Sequence, residues 1–251
     1  MINSENARPL AGQVAIVTGA TRGIGRAIAL RLAAEGVAIC IAGRNAERGT
    51  AVVAEVEKAG GRAIATVLDV VDYEATQRVV GETRQRLGRL DIAIANAGIG
   101  TIGPVAESDP GDWRAMMDVN FFGTAHLARA VLPAMLAEGR GTIMAIASSA
   151  ATTGYPEWAG YCASKWAVAG FMDCLGREMV GRNIRISTVN PGSVDTPFWD
   201  DLNQDLARSG TAARTSMMSA EDVAEIVALH LRLPQTVVVK HALAFPTNEW
   251  H

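Results

Sequence analysis

Val14-Ala15-Ile16-Val17-Thr18-Gly19-Ala20-Thr21-Arg22-Gly23-Ile24-Gly25 carries an apolar, β-branched run directly into a turn spaced by glycines. The run 14–17 reads as a buried strand. Beyond it, Ala27, Ile28, Leu32 and Ala33 recur at helical spacing until Gly36 stops the helix. Strand, glycine loop and helix form a unit that cradles a dinucleotide pyrophosphate. The glycines allow a tight turn and close backbone approach, and the helix start offers unpaired N–H groups and a positive dipole end. The spacing here is G-x3-G-x-G rather than G-x-G-x-x-G.

Outward from that unit the chain alternates strand and helix. Strands are expected at 37–42, 62–68, 92–95, 141–147 and 184–189, with a last one beginning at 237–239. Helices are expected after Gly43-Arg44-Asn45 to about 59, at 72–87, at 110–135, over the segment holding Tyr161 and Lys165 to about 180, and from a Ser219 N-cap to about 232. Right-handed crossovers turn this alternation into an α/β single-domain Rossmann fold. It is a doubly wound parallel sheet of about seven strands with helices on both faces. Residues 1–251 read as one domain, with 1–10 as an N-terminal tail and 198–218 as a substrate lid containing Trp199, Leu202, Leu206 and a Ser209-Gly210 break.

Ligands of such sheets bind beyond the strand C-termini. Asp69-Val70, Asn96-Ala97-Gly98, Ser148-Ser149 and Asn190-Pro191-Gly192 all fall at that edge. The second strand ends in Gly43-Arg44, with no acid to bind a ribose 2′-hydroxyl. Arg22 and Arg44 can instead grip a 2′-phosphate with charge-assisted bonds, which favours NADP(H).

Composition narrows the class. The chain has 251 residues, 49% hydrophobic and 20% charged, enough for a large core. A net charge of −3 without a run of like sign excludes a nucleic-acid or anionic-membrane role. Cys40, Cys162 and Cys174 form no C-x-x-C, and no histidines cluster, so neither a metal nor a disulfide framework is expected. The polar start and the lack of a long apolar run lead us to expect a soluble, cytoplasmic protein.

Tyr161 and Lys165 stand four apart, on one helix face. Free tyrosine and lysine titrate near about 10 and 10.4, so neither is useful alone at neutral pH. A nearby ammonium favours phenolate and lowers the tyrosine, which makes a general acid/base. Asn120 sits inside an expected helix, where asparagine is a poor former.

Taken together, Thr18-Gly19-Ala20-Thr21-Arg22-Gly23-Ile24-Gly25, Asn96-Ala97-Gly98, Tyr161 to Lys165 and Pro191-Gly192 with Thr196 resemble, in order, the motifs of the short-chain dehydrogenase/reductase family. The resemblance covers nearly the whole chain. It implies that Tyr161 donates the proton to a carbonyl, Lys165 tunes it and binds the nicotinamide ribose, and Ser148 polarises the carbonyl. Ser148 is favoured over Ser149 because it lies thirteen before Tyr161 and seven after Gly141. Asn120 would hold a water linking Lys165 to solvent. Asp69, with Val70, would bind adenine, Asn96 would fix the adenosine side, and Val194 and Thr196 would hold the carboxamide.

The implied activity is NADPH-linked carbonyl reductase or alcohol dehydrogenase chemistry on a small ketone, aldehyde or alcohol, in a homotetramer or homodimer. A 3-oxoacyl-acyl-carrier-protein reductase and a non-catalytic NADP-binding regulator are the alternatives. The ending at Phe245-Pro246-Thr247 departs from the V-D-G-G close of many members and counts against the carrier-protein reductase. Trp158, Ile99, Ile102, Phe198, Trp199, Met217 and Met218 are candidates for an apolar substrate pocket.

Overall fold

Residues 10–202 and 214–249 are described by the computed structural model of the chain. The first strand, β1 (Val14–Thr18), is buried along its whole length, as a parallel strand covered on both faces must be. It leads through the glycine loop into α1 (Gly23–Ala34). Then follow β2 (Ala38–Gly43), α2 (Ala46–Lys58), β3 (Ala63–Val67), α3 (Tyr73–Leu87) and β4 (Ile92–Ala95). The second half runs α4 (Pro110–Met116), α5 (Gly123–Glu138), β5 (Gly141–Ile146), α6 (Ala159–Glu178), β6 (Ile184–Pro191), α7 (Ala220–Arg232) and β7 (His241–Ala244).

The seven strands form one parallel sheet in the order β3-β2-β1-β4-β5-β6-β7. The order reverses between β1 and β4, the switch point at which such sheets open a ligand crevice. Two apolar cores lie on opposite faces. One packs Ile28 and Leu32 of α1, Val52 and Val56 of α2, and Val223 and Val227 of α7 on the sheet. The other packs Val79 and Val80 of α3, Leu127 and Val131 of α5, and Val168 and Met172 of α6. Each fully buried Val, Leu or Ile contributes about 1.5–3 kcal/mol, so these two layers, not local propensity, hold the architecture.

Two local expectations need correction. The last strand is His241–Ala244, so it starts beyond the valine run at 237–239 where its start is expected. The Val237 N–H closes a turn onto Pro234 O at 2.8 Å, and Val237 and Val238 are exposed. Register with β6 places His241 opposite Thr188 and Ala244 opposite Pro191, so strand pairing overrides the β-propensity of the valine run. The expected helix 110–135 is interrupted. Between α4 and α5, residues Met117–Phe122 form a π turn, and Asn120 lies inside it. The proposed lid 198–218 falls partly outside the described residues, as do Leu206, Ser209 and Gly210. Its described ends are short 3-10 turns at Trp199–Asp201 and Arg214–Ser216. Residues 1–9 of the expected tail also lie outside.

Candidate active site

The glycine loop shapes one end of the site. Gly19 adopts φ +65°, and a Cβ there would stand 2.8 Å from Ala97 Cα. Only glycine lets the loop lie this close to the end of β4. Thr18 and Asn96 lock the contact. The Thr18 hydroxyl accepts from the Asn96 and Ala97 N–H groups at 3.0 and 3.2 Å, and the Asn96 side chain donates to Thr18 O at 2.9 Å. The α1 start has no side-chain cap and no acid in its first turn. By contrast α2, α3, α4 and α7 are capped by Asn45, Asp72, Asp109 and Ser219. The free N–H groups of α1 therefore remain available to an anion.

A cleft of about 1200 Å³ runs from this loop across the C-terminal edge of the sheet to Trp158. Apart from Thr18, Gly25 and Asn120, every residue named from the sequence for cofactor or chemistry lines it. These three stand behind its wall. Thr18 and Gly25 pack the loop against Asn96, whose amide nitrogen a Cβ on Gly25 would meet.

The amide of Asn120 is committed. Its Oδ1 accepts from Ile99 N at 2.8 Å, and its Nδ2 donates to Ile99 O and Ser164 Oγ, each at 2.9 Å. The Ser164 hydroxyl donates in turn to Tyr161 O at 2.7 Å. This chain ties the α6 turn bearing Tyr161 to the loop after β4. Gly98 lies between the two sides, where a Cβ would come 3.2 Å from Asn120 Oδ1 and 3.6 Å from Lys165 Nζ.

Ser148 and Ser149 divide their tasks. The Ser148 hydroxyl stands beside the Tyr161 side chain, where it favours the phenolate, and accepts from Ala150 N at 3.1 Å. Ser149 is buried and accepts from the Tyr155 hydroxyl at 3.0 Å. Lys165 is buried on the same helix face as Tyr161, with Nζ 5.6 Å from the tyrosine ring centroid and donating to Ile146 O at 3.2 Å.

Both groups of this pair shift toward neutrality. Burial pushes the Tyr161 phenol up to about 12, against a smaller downward pull from the neighbouring Ser148 hydroxyl. Burial brings the Lys165 ammonium down to about 8. The lowering of the phenol expected from the lysine is thus not a property of the protein alone: desolvation is the dominant cause of the shift, and it raises the phenol.

A stability signature follows from Lys165. Its folded pKa is depressed from 10.5 to about 8. Between about pH 8 and 10 the unfolded chain holds a proton that the folded one has shed, so stability rises with pH. Urea titrations across that window are expected to show the rise, by up to about 1.4 kcal/mol per pH unit. Lys165→Met should abolish it. An unchanged slope in the variant would refute the assignment.

The substrate end is aromatic. Trp158 meets Tyr161 and Trp199 edge-on at 5.4 and 5.9 Å, and Phe198 meets Tyr161 at 5.9 Å. Ile99 also lines this end. Ile102, Met217 and Met218 do not: Ile102 is a buried core residue, and Met218 packs on the sheet core while its backbone bridges Val194. Sequence reasoning missed Arg48, in the first turn of α2 and also on the cleft. It also missed Glu157 and Glu249, which come to the wall through a left-handed turn residue (φ +68°) and the chain end respectively.

Known proteins resemble this chain in sequence and fold. The family profile described as short chain dehydrogenase matches residues 13–207. The 3beta-hydroxysteroid dehydrogenase of Mediterraneibacter gnavus is 36% identical over 195 residues, 77% of this chain and 70% of that protein. The 3-oxoacyl-acyl-carrier-protein reductase of Thermotoga maritima is 32% identical over 221 residues, 87% of this chain and 89% of that protein. The crystal structure of a metagenomic short-chain oxidoreductase in complex with NADP aligns at a TM-score of 0.81 and 33% identity, over 96% of this chain and 100% of that one.

Proposed function

The chain belongs to the short-chain dehydrogenase family, and on that premise we propose that it is an NADPH-dependent carbonyl reductase, or alcohol dehydrogenase in reverse, acting on a small ketone, aldehyde or secondary alcohol. One observation carries the reading. A single cleft has an uncapped helix start and guanidinium groups at one end, and Ser148 and Tyr161 beside a buried Lys165 at the other. The uncapped α1 start would hold the pyrophosphate, Arg22, Arg44 and Arg48 the 2′-phosphate, Asp69 and Val70 the adenine, and Val194 and Thr196 the carboxamide. Bound NADPH supplies the hydride and, once oxidised, a positive ring charge that favours phenolate.

The chain's own residues do the rest. The Ser148 hydroxyl holds and polarises the carbonyl oxygen. The Tyr161 phenol gives that oxygen its proton during reduction and takes it back in oxidation. The Lys165 ammonium grips the ribose. The Asn120 side chain is tied by three hydrogen bonds to Ile99 and Ser164. The Asn120 backbone carbonyl accepts from the Thr124 hydroxyl at 2.8 Å and is the acceptor through which Asn120 would hold the proton-relay water.

The carrier-protein reductase reading is less well supported. An acidic carrier needs a basic landing surface, and Arg214 beside the cleft is paired with Asp195 at 3.2 Å and with Asp200 at 3.0 Å. The test is a panel of ketones, aldehydes and hydroxy acids, with and without acyl carrier, using NADPH and NADH side by side. NADPH is expected to win by about ten- to hundredfold in kcat/KM, the range of one or two charge-assisted contacts. Equal use of NADH, or turnover only of carrier-bound substrates, would overturn the proposal.

A further inference from the structure

The three guanidinium groups at the ribose end are not equivalent. Arg44 and Arg48 are exposed and carry no ion pair among the described residues. Arg22 does carry one. It pairs with Asp201 of the Trp199–Asp201 turn through both guanidinium nitrogens, one of them at 3.3 Å. The partners are 179 residues apart and both face the cleft. The turn holding Asp201 is tied down from the other side, where Trp199 Nε1 donates to Val194 O at 2.8 Å. Phe198, beside it, packs on Tyr161. One ion pair thus joins the glycine loop to the aromatic cover of the catalytic tyrosine.

We propose that Asp201 is a specificity-determining residue: its carboxylate competes with the cofactor 2′-phosphate for Arg22, and so sets how strongly the chain favours the phosphorylated cofactor. The proposal rests on the NADPH reading above. Two effects act in the same direction. While Arg22 is held by Asp201, it is withheld from a phosphate. Once a phosphate arrives, Asp201 adds a like charge nearby. The side chains of Arg22 and Asp201 are 40% and 53% exposed, so solvent screens the pair and the competition is one a phosphate can win. The exchange also releases the Trp199–Asp201 turn from the loop, so phosphate occupancy and the substrate cover share one contact.

The experiment measures cofactor affinity in the full chain without substrate, by quenching of tryptophan fluorescence. Four proteins are compared: wild type, Asp201→Asn, Arg22→Ala and the double variant. Asp201→Asn is expected to tighten NADPH by about two- to fivefold, the range of one exposed ion pair. NADH affinity should not change, and the gain should shrink at high salt. In the Arg22→Ala background, Asp201→Asn should have no effect on either cofactor. Weaker NADPH binding in Asp201→Asn would mean that the carboxylate presents Arg22 to the phosphate, and would overturn the proposal. Equal shifts for both cofactors, or a gain that survives Arg22→Ala, would also overturn it. A wild type indifferent to the phosphate would show a different failure, that of the NADPH reading beneath it.

Discussion

Tyr161→Phe is expected to lower turnover by about 10²- to 10⁴-fold, the usual worth of a placed proton donor, while leaving NADPH affinity within a factor of about two. The substitution removes one oxygen. The ring that Trp158 and Phe198 pack against is retained, and so is the Ser164 bond to the Tyr161 backbone. The Ser148 hydroxyl keeps the contact from Ala150 N. The loss should therefore fall on kcat, with little change in folding stability. Turnover within a few-fold of wild type, with Ser148 intact, would remove Tyr161 from the chemistry and leave Ser148 and Lys165 to be reassigned. A large loss of cofactor affinity alongside kcat would instead show that the phenol was holding the ribose.

The second large effect lies at the other end of the cleft. Gly19→Ala is expected to destabilise the chain by about 2–5 kcal/mol. About 1–2 comes from forcing a Cβ into the left-handed region and about 1–3 from overpacking. The new atom would stand 2.8 Å from Ala97 Cα and 3.0 Å from both Ala97 N and the Asn96 side-chain nitrogen. Two of these are backbone atoms and cannot swing aside, so the Thr18–Asn96 clamp must open. Urea denaturation with parallel NADPH binding would show a large fall in both. A variant within about 0.5 kcal/mol of wild type would mean that the loop relaxes freely, and that its hold on the end of β4 is not what shapes the cradle.

Much of this was legible in the chain because it was local. The β-branched run, the glycine spacing and the Ser219 cap each announce an element through residues within a few positions. The alternation of elements then leaves few sheet topologies. The choice of Ser148 over Ser149 rested on counting; both serines line the cleft, and Ser149 is engaged by the Tyr155 hydroxyl.

What stayed hidden depends on partners far away in sequence. The valine run 237–239 has every strand propensity, yet the register with β6 selects His241–Ala244. The π turn around Asn120 is set by its amide bonds to Ile99 and Ser164, which no helical periodicity encodes. The Arg22–Asp201 pair joins two residues whose meeting depends on the whole fold. The shift of Tyr161 away from neutral pH belongs to burial, a quantity that spacing alone does not supply.

The pairing of β1 with β4 carries a consequence for folding kinetics. Val17 lies beside Ile94, so the glycine loop gains its second wall only after the α/β segment between them has folded and a loop of more than seventy residues has closed. The far wall waits longer still, for β5, β6 and the C-terminal residues up to Glu249. Such non-local contacts form late and slow the search. The cleft is therefore a property of the finished fold, absent from any partly folded chain. A cofactor that binds it would draw the population toward the native state by mass action, and the appearance of binding during refolding would time the closing of the whole sheet.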